Sequence, residues 1–152
     1  MKRNLILGTV LMLLFTFSAC EKSKLNDLSV IKYGSSFGMC VGFCVNELAV
    51  GKDEMTYSGK QRSPKPDTRS CTKPINADEV EAIKELIDIE KIAALPEVIG
   101  CPDCADGGAE WVAINAGGKN YKITFEYGKA PKELAAAVAR LKILTAEFKD
   151  CK

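Results

Sequence analysis

Seven cysteines in a chain of 152 residues constrain this sequence more than any other feature. Cys20 closes an apolar N-terminal run, and the other six are Cys40, Cys44, Cys71, Cys101, Cys104 and Cys151. An even set of thiols in a short exported chain reads as a disulfide framework, the usual support of a core too small to hold itself firmly. The connectivity stays open. On a regular strand the Cα atoms of Cys40 and Cys44 would lie about 13 Å apart, beyond the ~7 Å a disulfide can bridge. A turn or bulge at Gly42 would instead allow a local bridge.

Export is written in the first twenty residues. Lys2 and Arg3 precede an uncharged stretch from Leu5 to Phe17, and Ser18-Ala19-Cys20 closes it. A run of thirteen residues without charge fits the central region of a signal peptide. It falls short of the ~20 needed to span a bilayer as a helix. Phe17 stands where ordinary secretory cleavage wants a small side chain. Phe17-Ser18-Ala19-Cys20 resembles the lipobox of bacterial lipoproteins, with Phe in place of the usual Leu. That resemblance implies a diacylglyceryl group on the Cys20 thiol and cleavage that leaves Cys20 as the acylated N-terminus. Each buried CH₂ contributes about 0.8 kcal/mol, so two or three acyl chains hold a protein on a membrane. The expected division is a signal peptide over 1–19, a lipidated tether over 20–27 and a single domain over 28–152.

The composition, 47% hydrophobic and 27% charged, suits one globular domain. The chain has no histidine, which removes Ser-His-Asp and Cys-His catalysis, His-ligated zinc and any imidazole switch. With 21 basic against 20 acidic side chains it lacks the charge of a dedicated nucleic-acid binder.

Along the mature chain, 28–33, 45–50 and 54–58 read as strands, the last two joined by a tight turn at Gly51-Lys52-Asp53. Residues 59–74 carry three prolines and no apolar period, the pattern of a long loop tied down by Cys71. Asn76-Ala77-Asp78-Glu79 starts a helix with an N-cap and acids in the first turn. Val80, Ile83, Leu86, Ile89, Ile92 and Leu95 repeat every three residues, a period that drifts around a helix and predicts a break near Asp88. Residues 110–115 and 120–127 form a strand pair around Ala116-Gly117-Gly118-Lys119. Tyr121, Ile123, Phe125 and Tyr127 alternate with polar residues, as on a sheet with one wet face. Pro131 opens the last helix. Its buried stripe is Leu134, Val138, Leu141, Leu144 and Phe148. The predicted class is α+β: a small antiparallel sheet of about five strands with two helical regions on one face, stapled by disulfides.

Cys40-Val41-Gly42-Phe43-Cys44, the strand pair after it and the later helix-hairpin-helix resemble a small envelope lipoprotein domain family with a Cys-x-Gly-x-Cys hairpin. The family usually has Pro after the second Cys, where this chain has Val45. Its function is unassigned, so the resemblance implies a fold and no activity.

Cys101-Pro102-Asp103-Cys104 has the spacing of a thiol-disulfide exchange site, yet no helix is expected to start on it, and Asp103 and Asp106 would raise a thiol pKa. Cys40, Cys44, Cys101 and Cys104 could form a Cys₄ zinc set, which would strand Cys71 and Cys151. Asp103, Asp106 and Glu110 lack the alternate spacing of a calcium loop. Lys60, Arg62, Lys65, Arg69 and Lys73 make the 59–74 segment basic, the charge of a solvated loop or of a contact with anionic lipid or an acidic partner. Trp111, beside the cysteine turn, is expected to pack on a disulfide.

The functional expectation is a non-catalytic binding or structural domain held in the bacterial cell envelope, with no cofactor and no metal. Its partners would be the membrane, through the acyl chains, and an unknown protein or envelope polymer. Nucleic acid is excluded. The alternatives are a thiol-disulfide or zinc-dependent protein centred on Cys101 and Cys104, and an inhibitor of an envelope hydrolase. Glu21-Lys22-Ser23 lacks the Asp that retains many enteric lipoproteins at the inner membrane, so the outer membrane is favoured.

Overall fold

The computed structural model describes residues 28–64 and 67–151. Cys20, the signal segment, the tether and Lys65 lie outside the described residues. The element order is β1 (Leu28–Ser36), β2 (Phe43–Val50), β3 (Glu54–Gln61), β4 (Thr68–Pro74), α1 (Ala77–Glu85), α2 (Ile89–Ala93), β5 (Val98–Ile99), β6 (Ala109–Ala116), β7 (Lys119–Glu126) and α3 (Ala135–Ala146). The strands form one sheet in the order β4-β3-β2-β1-β6-β7-β5. All pairings are antiparallel except that of β5 with β7.

The α+β class holds, with seven strands in a mixed sheet rather than about five in an antiparallel one. One added strand, β4, replaces most of the expected long loop. It pairs with β3 from Glu54↔Pro74 to Lys60↔Thr68, and of the described residues between the two strands only Arg62, Ser63, Pro64 and Asp67 lie outside them. Its polar composition hid it: β4 is an edge strand that buries little, so no apolar alternation marks it. The other, β5, is two residues long and carries no pattern at all. The last helix also begins later than predicted. Residues 131–134 form a turn, closed by the Leu134 N–H on the Pro131 carbonyl (2.9 Å), before α3 starts at Ala135.

The helices cover one face of the sheet. Ile31 and Tyr33 of β1 lie beside Val50 and Leu48 of β2 and beside Ile114 and Val112 of β6, so one row of side chains crosses the strands. That row meets Val80, Ile83, Ile87 and Ile92 from the α1–α2 segment and Leu134, Val138, Leu141, Leu144 and Phe148 around α3 in one core. The break near Asp88 is present. Leu86, 38% exposed, is where the three-residue period leaves the core, and the Asp88 carboxylate then caps α2 by accepting from the Lys91 N–H (3.2 Å). Asn76 caps α1 in the same way, through the Glu79 N–H (2.7 Å). Among the described residues no helix is long and apolar enough to cross a membrane.

The six described cysteines pair as Cys40–Cys44, Cys71–Cys151 and Cys101–Cys104, with Cα separations of 5.6, 5.9 and 5.5 Å. Gly42, at φ 96°, supplies the turn that brings Cys40 and Cys44 together. Cys71–Cys151 ties the edge strand to the residues after α3, across 80 positions of sequence.

Candidate functional site

The two local disulfides lie on neighbouring loops. The Gly38 N–H donates to Asp103 Oδ1 (3.0 Å), and the Phe37 and Tyr127 rings sit 4.7 Å apart. Asp103 and Tyr127 both donate their backbone N–H to the Gly108 carbonyl, so the loops and the end of β7 share one support. Between Cys101 and Gly108 the backbone is unusual. Asp103, Ala105 and Asp106 all have positive φ, of 61°, 49° and 59°. Ala105 has no polar side chain to compensate for a conformation that costs an L-residue about 1–2 kcal/mol. Beside this turn, Met39 is 78% exposed and Val41 fully exposed, so the Cys40–Cys44 loop presents apolar tips.

Each sequence candidate in this region has a specific place. Cys101 and Cys104 are exposed and joined to each other, and the only helix on the motif is a one-turn 3₁₀ segment, Cys104–Asp106. A one-turn segment interrupted by a left-handed residue offers little of the dipole that lowers a thiol pKa. The four cysteines of the zinc alternative are divided between two separate disulfides. Asp103, Asp106 and Glu110 do not act together: Asp103 caps the Gly38 loop, Asp106 is exposed and Glu110 is wholly buried. Among the described residues no three His, Cys, Asp or Glu side chains converge as a metal-binding group.

Glu110 is the site residue whose role sequence reasoning missed. Its carboxylate accepts from the Tyr33 hydroxyl (2.8 Å) and the Gly128 N–H (3.3 Å), and pairs with Lys142 Nζ at 2.7 Å. Burial, reinforced by the Glu110 carboxylate, holds the Tyr33 phenol far above its ordinary pKa, so it stays a donor. A buried charge needs this full set of partners, and here they tie β1, β6 and α3 together behind the cysteine loops.

The basic segment is not a solvated loop throughout. Arg69 lies 4.2 Å from the centroid of the Phe43 ring, donates to the Cys151 carbonyl (2.8 Å) and also reaches the Tyr57 hydroxyl. Lys73 donates to the Glu147 carbonyl (2.6 Å). Both cations clamp the end of the chain onto the sheet.

Trp111 does not pack on a disulfide. It stands on the sheet face opposite the helices, where Gly34 is its direct neighbour on β1. A Cβ at Gly34 would meet the indole at 2.1 Å, so glycine there lets the ring lie against the backbone. The indole N–H reaches Glu47 Oε2 (3.4 Å), Glu47 also pairs with Lys32 (2.9 Å), and Lys122 Nζ sits 5.1 Å over the ring. Strand parity makes this wet face mostly small or polar: Thr72, Thr56, Ala49, Lys32, Ala113 and Lys122 form one row across six strands. Between β1, β6 and β7 the face is hollowed into an open cleft of about 400 Å³.

No protein-family profile matches this chain, and no curated protein matches it.

Proposed function

We propose that this chain is a lipid-anchored lipoprotein of the bacterial cell envelope, whose disulfide-stapled domain binds an envelope partner and carries out no catalysis. The observation that supports it is the cysteine arithmetic. Six of the seven cysteines pair among themselves, which leaves Cys20, at the end of Phe17-Ser18-Ala19-Cys20, as the thiol available for acylation. A domain with three bridges suits an oxidising compartment. The outer membrane is the favoured location, from the residues that follow Cys20.

The anchor is tested by expressing the Cys20→Ser variant beside the parent and labelling both with an alkyne fatty acid. The parent should carry label and fractionate with membranes, and the variant should be unlabelled and remain a precursor. A variant that is processed normally and stays membrane-bound would refute the reading.

A further inference from the structure

We propose that the cleft beside Trp111 is a binding site for an acidic glycan, a chain of hexose rings bearing carboxylates. Three observations carry it. First, the chain's single tryptophan is laid on the wet face by Gly34, with its N–H turned to Glu47. A sugar ring has one face rich in C–H groups, which covers an aromatic ring while its hydroxyls remain free to hydrogen-bond at the rim.

Second, the adjoining cleft has the mixed lining that recognition of a hydroxylated ligand needs. Ala113 forms its floor between Lys32 and Lys122, and Ser29, Asn115 and Asn120 stand at one end. Those three are already a hydrogen-bonded ladder, Ser29 to Asn115 at 3.1 Å and Asn115 to Asn120 at 2.7 Å. Amides and hydroxyls both donate and accept, as sugar hydroxyls do. The volume falls within the range of about 300–1,000 Å³ usual for small-ligand sites.

Third, the charge selects the ligand. Lys32 is matched by Glu47, whereas Lys122, which lines the cleft, has no carboxylate within ion-pair distance among the described residues and lies over the indole face. An exposed ammonium over a ring is held weakly, and a ligand carboxylate offers it a charge-assisted hydrogen bond instead. A glycan lying over Trp111 would bring a carboxylate to that position. The exposed aliphatic side chains of this face, Val98 at 58% beside Thr124 and Val30 at 36% beside Asn115, stand in different rows with the Lys32, Ala113 and Lys122 row between them, so they form no continuous apolar patch for a protein partner.

This inference rests on reading the domain as a binding module and is independent of the anchor. The experiment is a titration of the full-length, detergent-solubilised protein with tetragalacturonate, followed through Trp111 emission, with a neutral galactose tetrasaccharide as the second arm. The acidic tetrasaccharide should change the emission saturably and bind at least about fivefold more tightly than the neutral one. Lys122→Gln should weaken it by about fivefold without moving the melting temperature. Calorimetry on Trp111→Phe, which lacks the reporter, should show binding lost. No saturable change, equal binding of the neutral sugar, or an unaffected Lys122→Gln variant would overturn the proposal. Each of those results leaves the Cys20→Ser labelling experiment untouched, and a failed anchor leaves the titration untouched.

Discussion

Removing the Cys71–Cys151 bridge should cost the domain far more than removing either local bridge. Chain-entropy reasoning makes the effect depend on the loop each bridge closes, and here the sequence separations are 80, 4 and 3. The loop-closure relation gives about 4.5 kcal/mol for the long bridge and about 2 kcal/mol or less for each short one. The structure adds to the difference. The bridge holds Cys151, whose carbonyl accepts from Arg69, close to Phe148, which stacks on Tyr57 at 5.6 Å. Thermal melts of the Cys71→Ala/Cys151→Ala and Cys40→Ala/Cys44→Ala double variants, both unreduced, read the contrast directly. At roughly 2–8 °C per kcal/mol, the first should lose at least about 10 °C and the second much less. Equal losses, or a larger loss for Cys40/Cys44, would refute the claim that the long bridge is the main staple.

Leu141, wholly buried in α3, should cost about 2–5 kcal/mol when changed to Ala, measured by urea unfolding. Glu110→Ala strands the Tyr33 hydroxyl and the Gly128 N–H and should cost about 3–5 kcal/mol in the same assay, whereas Glu126→Ala, whose carboxylate is exposed and bonded to Lys129 and the Cys101 N–H, should cost much less. The Arg140 guanidinium, bonded to Glu79, holds that carboxyl below its ordinary 4.5. The stability this pair contributes is therefore present above the unfolded value and lost as pH falls through the depressed native one. Arg140→Met should flatten the dependence below about pH 4.5 in acid melts. Gly34→Ala should push the indole off the sheet, shift Trp111 emission and cost about 1–3 kcal/mol.

Much of the fold was legible because much of it is local. The α3 stripe follows from a helical period and is buried at every predicted position. The capping role of Asn76 and the Ala116↔Lys119 turn likewise involve neighbours within a few residues. What escaped depends on distant partners. Thr68–Pro74 contains little that packs, and it becomes a strand because β3 offers a ladder to pair with. The site was less legible still. Trp111 looked like a neighbour of the cysteine turn in sequence, and only its pairing with Gly34, across the β1–β6 ladder, places it on the open face. Glu110 read as the polar first residue of a strand, and its partners Tyr33 and Lys142 come from β1 and α3, far away along the chain. The cysteines fixed a framework without a connectivity, since spacing alone could not show that Gly42 turns the chain.

The central claim is that one cysteine carries lipid while six staple the domain, and a thiol count on the purified membrane protein tests it most directly. Denatured without reductant, the protein should take up no alkylating reagent. Denatured and reduced, it should take up six equivalents, because the seventh sulfur is a thioether at an acylated Cys20 N-terminus. Mass spectrometry reads both numbers and the N-terminal residue together. Seven alkylated thiols after reduction, or free thiols among Cys40, Cys44, Cys71, Cys101, Cys104 and Cys151 before it, would contradict the account.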